Sequence, residues 1–96
     1  MTYKGSEPVY HDLVVIATDP RTDFWLVDEH WHPVQKATGV LDTSVLAGRY
    51  FIEFGQATPA GIAYPVKLTR NLQLTQGDLE RGPSCPRQAP QFLDDE

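Results

Sequence analysis

Apolar and polar side chains alternate or run together over short stretches of this chain, then break at glycine, proline or asparagine. Residues 10–18 (YHDLVVIAT) hold an apolar, β-branched run from Leu13 to Ala17. Its length and composition predict a strand covered on both faces rather than a helix. Asp19-Pro20 predicts a turn, because proline presets φ and the aspartate side chain bonds nearby backbone. Residues 24–32 (FWLVDEHWH) predict a second strand, with Pro33 marking an edge or a bend. Residues 34–37 read as a short extension of it, Gly39 as a turn, and residues 40–45 as extended with a polar middle.

The clearest strand signal is residues 49–54 (RYFIEF), where Tyr50, Ile52 and Phe54 share one face and Phe51 and Glu53 the other. Gly55 closes it, and residues 56–61 read as a loop. Residues 62–69 (IAYPVKLT) alternate again, with Tyr64, Val66 and Leu68 opposed to Pro65, Lys67 and Thr69. Pro65 has no N–H to give, which predicts a sheet edge or a bulge. Asn71 offers a turn before a last short strand, residues 72–75 (LQLT). No window shows a capped apolar pattern with the helical period. Strands punctuated in this way predict an all-β fold, a small antiparallel β-sandwich over residues 10–76 after a flexible lead-in, residues 1–9. From there the chain turns to proline, glycine and acid. Residues 77–96 are expected to form a disordered acidic tail, since their few apolar groups do not offset the entropy of ordering.

Composition narrows the function. With 96 residues the chain holds one domain. Its formal net charge of −5 offers nothing to neutralise phosphates or to attract an anionic bilayer, so neither nucleic acid nor a membrane is the expected partner. Residues 78–96 contribute −3 of that charge. The single cysteine, Cys85, excludes an internal disulfide and a four-cysteine zinc site. A lone thiol and the absence of a signal-peptide pattern lead to a cytoplasmic expectation.

One longer pattern spans residues 25–68: WLVDEHWHPVQKATG, then SVLAGRYFIEFG, then YPVKL. Asp28, Pro33-Val34, Leu46-Ala47-Gly48 and Tyr50 resemble the small prealbumin-like β-sandwich of carboxypeptidase regulatory-like domains. Where that family carries a glycine in the turn before Pro-Val, this chain has His30-Trp31-His32. Gly48 suits a turn with φ above zero, and Tyr50 suits a buried ring with its hydroxyl bonded. The resemblance implies a scaffold or interaction module rather than an enzyme.

The residues offer no catalytic set. Asp28 and Glu29 are adjacent, so on a strand they point to opposite faces, whereas paired carboxylates must aim at one bond. Ser6, Ser44 and Ser84 lack the strained elbow of a reactive serine. Cys85, in Gly-Pro-Ser-Cys-Pro, has nothing beside it to lower its pKa and reads as an inert exposed thiol. His30 and His32 form an His-x-His pair that His11, with Asp12 or Asp28, would complete as a metal site; surface histidines flanking a tryptophan are the plainer reading, and no cofactor is expected. The aromatic residues are too many for so small a core, and exposed aromatics beside polar groups suit a protein interface.

The expected function is therefore a non-enzymatic interaction module or accessory subunit that binds a protein partner through an aromatic sheet face or edge. Trp25, Trp31, Phe51 and Tyr64 are the expected anchors, joined by Phe92 and Leu93 in the acidic-hydrophobic C-terminal segment. A small acidic inhibitor of the phage or mobile-element type, blocking a basic surface of its target, is the second reading. A histidine-based metal-binding domain is the third. A homo-oligomer is compatible with all three.

Overall fold

The computed structural model describes residues 8–54 and 62–86. The chain forms β1 (Tyr10–Ile16), β2 (Asp23–Asp28), β3 (Pro33–Thr38), β4 (Val40–Leu46), β5 (Gly48–Phe54), β6 (Ile62–Leu68), β7 (Leu72–Thr75), the short helix α1 (Gln76–Glu80) and β8 (Cys85–Pro86). Strand order is β7-β1-β4-β3-β2-β5-β6-β8. β3 and β4 share a single bridge, Thr38 to Val40. There the ribbon divides into a three-stranded layer, β7-β1-β4, and a five-stranded layer, β3-β2-β5-β6-β8.

The two layers close on one another because each strand carries an apolar row at period two. Leu13 and Val15 of β1 and Leu41 of β4 meet Phe24 and Leu26 of β2, Tyr50 and Ile52 of β5, and Val66 and Leu68 of β6 in one core. The fold is an all-β sandwich, as the turn spacing predicts. Its pairing is antiparallel except for β1 and β7, which run parallel with Leu13 opposite Leu72. The expected faces of β5 are observed: Tyr50 and Ile52 are buried in the core and Phe54 packs against it.

Three expectations are corrected. Val14 and Ile16 are only half-buried, so β1 is covered on one face, not two; a two-layer protein of this length has no third layer to lay over it. Residues 24–32 are not one strand: the chain turns after Asp28 and returns as β3, so Pro33 opens a new strand instead of bending an old one. Pro33 fits there because β3 is free of ladder partners along most of its far side, where a missing N–H costs little. Residues 77–86, expected in the tail, belong to the fold. The Thr75 hydroxyl accepts from the Asp78 amide and the Asp78 carboxylate accepts from the Thr75 amide, both at 3.1 Å, a capping box that starts α1. Leu79 then packs into the core, and Cys85 and Pro86 pair with Ala63 and Ile62. Residues 87–96 lie outside the described residues.

The passage between layers depends on one backbone position. Gly39, between β3 and β4, has φ 77°. Its carbonyl accepts from the Ala17 amide at 2.8 Å and its amide donates to the Thr22 carbonyl at 2.9 Å. A Cβ placed there would lie 2.6 Å from the Pro20 carbonyl oxygen, a backbone atom that cannot rotate away. Gly39→Ala combines that clash with a left-handed φ, and is expected to cost about 2–3 kcal/mol. Urea unfolding measures it; an unchanged midpoint would show that the corner relaxes freely.

Candidate functional site

The outer face of the five-stranded layer is assembled row by row from strand register. One row runs Lys36, Trp25, Glu53, Ala63 and Cys85 across β3, β2, β5, β6 and β8. The next runs Pro33, Val27, Phe51 and Pro65, and beyond it Arg49 lies opposite Lys67. Aromatic side chains thus gather on a face that would otherwise be open to water.

The hairpin joining β2 to β3 finishes this face. The Trp31 amide donates to the Asp28 carbonyl at 3.0 Å, and the Asp28 amide donates to the His32 carbonyl at 2.9 Å. The amides of His30 and His32 both donate to Asp28 Oδ1 at 2.9 Å. Asp28 therefore holds the whole loop. Trp31 carries φ 69°, the position of such a loop that usually goes to glycine. Close by, Val34 is an extra residue between the partners of Leu26 and Val27, a bulge that twists β3.

Trp31 occupies this unfavourable backbone position because its ring has somewhere to go. It stacks on Phe51 with ring centroids 4.0 Å apart and planes 16° from parallel. Val27, Trp31 and Ala63 are buried together, with Trp25, Phe51 and Cys85 packed against them. The aromatics that exceed the interior form a second, smaller core on the outer face. Lys36 caps it, its ammonium 5.5 Å from the Trp25 ring centre and 3.8 Å from Asp23.

The expected anchors divide accordingly. Trp25 and Phe51 are half-buried on the outer face. Trp31 lies beside them but is only 7% exposed, so it is a support under the face and not a protruding anchor. Tyr64 is on the opposite side of β6, against the main core and 6.0 Å from the Phe54 ring. Parity explains the split: on β6, even-numbered positions point inward with Val66 and Leu68. Phe92 and Leu93 lie outside the described residues. Among the described residues the most exposed large apolar side chains are Tyr10, Val9, Val40, Ile62, Val34 and Leu46, none of them an expected anchor.

The histidines are not brought together. His11 is on β1 opposite Val45, while His30 and His32 lie on the hairpin loop with Trp31 between them in a left-handed turn. His30 Nε2 is 3.9 Å from Glu29, and His32 Nδ1 is 3.9 Å from Asp28. Among the described residues no three histidines, cysteines or carboxylates gather at metal-binding distance. Cys85 is half-buried against the outer cluster, not an exposed thiol, because β8 holds it against Ala63.

Two adjoining depressions flank Arg49. One, of about 210 Å³, is lined by Asp28, Leu46, Ala47, Gly48 and Tyr50 among others. Asp28 and residues 46–50, distant in sequence, thus meet at one end of the sandwich. Gly48, the first residue of β5, has φ 155°. The Tyr50 hydroxyl donates to the Leu46 carbonyl at 2.6 Å, the back-bond of a tyrosine corner. Burial, then the charges of Asp28, Glu29 and Tyr10, push the Tyr50 hydroxyl above its ordinary value of 10.0. The other depression, of about 360 Å³, is lined by Arg49, Phe51, Pro65, Lys67 and Pro83 together with Tyr50 and Val66.

Comparison with protein-family models, with curated proteins and with solved structures finds no match to this chain. No described helix is long and apolar enough to cross a membrane.

Two predictions follow from this geometry. Trp31→Ala should lose the stack and keep the backbone strain, costing about 3–5 kcal/mol. Trp31→Gly should lose the stack but relieve the strain, so it should be the milder change by about 1 kcal/mol in urea unfolding. Equal losses would remove the strain from the account. Tyr50→Phe should cost about 1–2 kcal/mol by leaving the Leu46 carbonyl without its donor. Because the folded chain holds the Tyr50 proton to higher pH than the unfolded chain, this contribution is complete below about pH 10 and fades as pH rises through the folded value. Stability curves of wild type and Tyr50→Phe should therefore run parallel at neutral pH and converge in alkali; parallel curves throughout would contradict the assignment.

Proposed function

We propose that this chain is a non-enzymatic interaction module that binds a protein partner through the outer face of its five-stranded layer. One observation carries the reading. This face holds its own small aromatic core, with Trp25 and Phe51 half-exposed above it and a 360 Å³ depression alongside. A two-layer sandwich needs no apolar cluster on an outward face for its own closure, and aromatic groups rimmed by charge are the usual chemistry of a protein contact. The prealbumin-like resemblance, which implies a scaffold or interaction role, agrees with it.

The face is a better candidate than the β6 edge. β8 covers β6 at Ile62 and Ala63, and Pro65 interrupts the donors along the rest of that side. On that side a partner accordingly meets side chains and not a row of free backbone groups.

Site-specific photocrosslinking tests this in the native lysate. A benzoyl-phenylalanine at Lys36, on the proposed face, should give one discrete protein adduct. The same group at Gln73, on the exposed side of β7, should not. Identical adduct patterns from both positions, or none from Lys36, would refute the proposal.

A further inference from the structure

Arg49 and Lys67 face one another directly across β5 and β6. Like charges in opposed cross-strand positions repel, and a protein gains nothing from the arrangement unless an anion lies between them. Among the described residues neither side chain has a carboxylate partner, although the chain is acidic overall and Arg21, Lys36 and Arg81 are each paired with an aspartate; Arg70, in the turn after β6, shares the lack but faces no second cation across a strand pair. Beneath the two cations lies the depression of about 360 Å³, with Phe51, Pro65 and Pro83 supplying its apolar walls. Phe51 is also the residue that Trp31 stacks on, so this wall is braced by a second ring.

Resting on the interaction-module reading above, we infer that the depression receives an acidic peptide segment of the protein partner, with a carboxylate between Arg49 and Lys67 and a neighbouring aromatic side chain against Phe51, Pro65 and Pro83. The pair of cations matches one or two carboxylates, and arginine favours their planar geometry. Rigid rings and prolines lose little entropy when they take up another ring. A polyanion such as single-stranded nucleic acid fits the same cations poorly. It would extend past two charges onto an acidic protein whose adjoining depression presents Asp28 and Glu29.

Fluorescence anisotropy with the full chain tests the inference. The probe is a labelled five-residue peptide of aspartates around a central phenylalanine. It should bind weakly but saturably, and binding should weaken when ionic strength rises from about 0.05 M to about 0.5 M. Arg49→Glu and Lys67→Glu should each reduce affinity at least about tenfold, the loss of one desolvated charge contact. Arg21→Glu, the same charge change in the β1–β2 turn, should reduce it far less. Replacing the peptide's phenylalanine by alanine, or its aspartates by asparagines, should also abolish most binding. All three reversed positions are exposed, and unchanged thermal unfolding confirms that the variants remain folded. No binding, equal loss in all three variants, or tighter binding of an oligothymidylate of similar length would overturn the inference. If the Lys36 photocrosslink forms but the peptide does not bind and Arg49→Glu leaves the adduct unchanged, the module stands and the acidic ligand falls. If no adduct forms, the module itself fails.

Discussion

The structure depends on a ribbon of strands bending sharply enough to lie on itself. Neither layer is stable alone, since each presents one apolar face that must leave water. The bend occurs where β3 passes to β4, at Gly39, with one ladder bridge in place of many and a left-handed φ packed against Pro20. Everything inward follows from that corner. Leu13, Val15 and Leu41 reach Phe24, Leu26 and Ile52 only because the ribbon folds there. The turns on either side are built to hold it: Thr22 accepts from Gly39, and Asp19 receives both the backbone and the side chain of Arg21.

The outward side of the larger layer is a consequence of the same economy. A domain this small buries a limited volume, and the aromatic residues exceed it. The excess settles on the outer face, where Trp31 is drawn over Phe51 from a loop position that would suit glycine better. Its strain is offset by ring burial. The result is a rigid surface with half-exposed aromatic groups beside two cations that have no carboxylate partner among the described residues, on a chain whose overall charge is negative. Rigid aromatics and desolvated charge pairs are the groups that dominate binding energy at protein contacts.

Much of this was legible along the chain. Residues 49–54 and 62–69 announce their faces by alternation, and Pro65 announces the part of β6 that β8 does not cover. The start of α1 was also written there, in Thr75-Gln-Gly-Asp78 ahead of Leu79, but the acidic, proline-containing stretch around it read as tail. Capping chemistry is local and easily outweighed by composition when a window is judged as a whole. The hairpin at Asp28 was legible only as a polar turn before Pro33-Val34, and the place where the strand ends was obscured for a different reason. A tryptophan stands where the turn calls for glycine, and its stability comes from Phe51, distant in sequence. For the candidate site, Trp25 and Phe51 were legible as aromatics, whereas Arg49 and Lys67 carried no signal that either faced the other.

The amino-acid order by itself determined that the chain is all-β, which side chains share a face within each strand, and where most turns fall. These are local matters, settled by period-two alternation and by the backbone preferences of proline and glycine. Tertiary structure alone decided which strands lie side by side, that two layers form at Gly39, that Tyr64 faces the core while Phe51 faces out, and that Arg49 meets Lys67. Register is set by the collective burial of many residues at once, and no single segment contains the information about its neighbour.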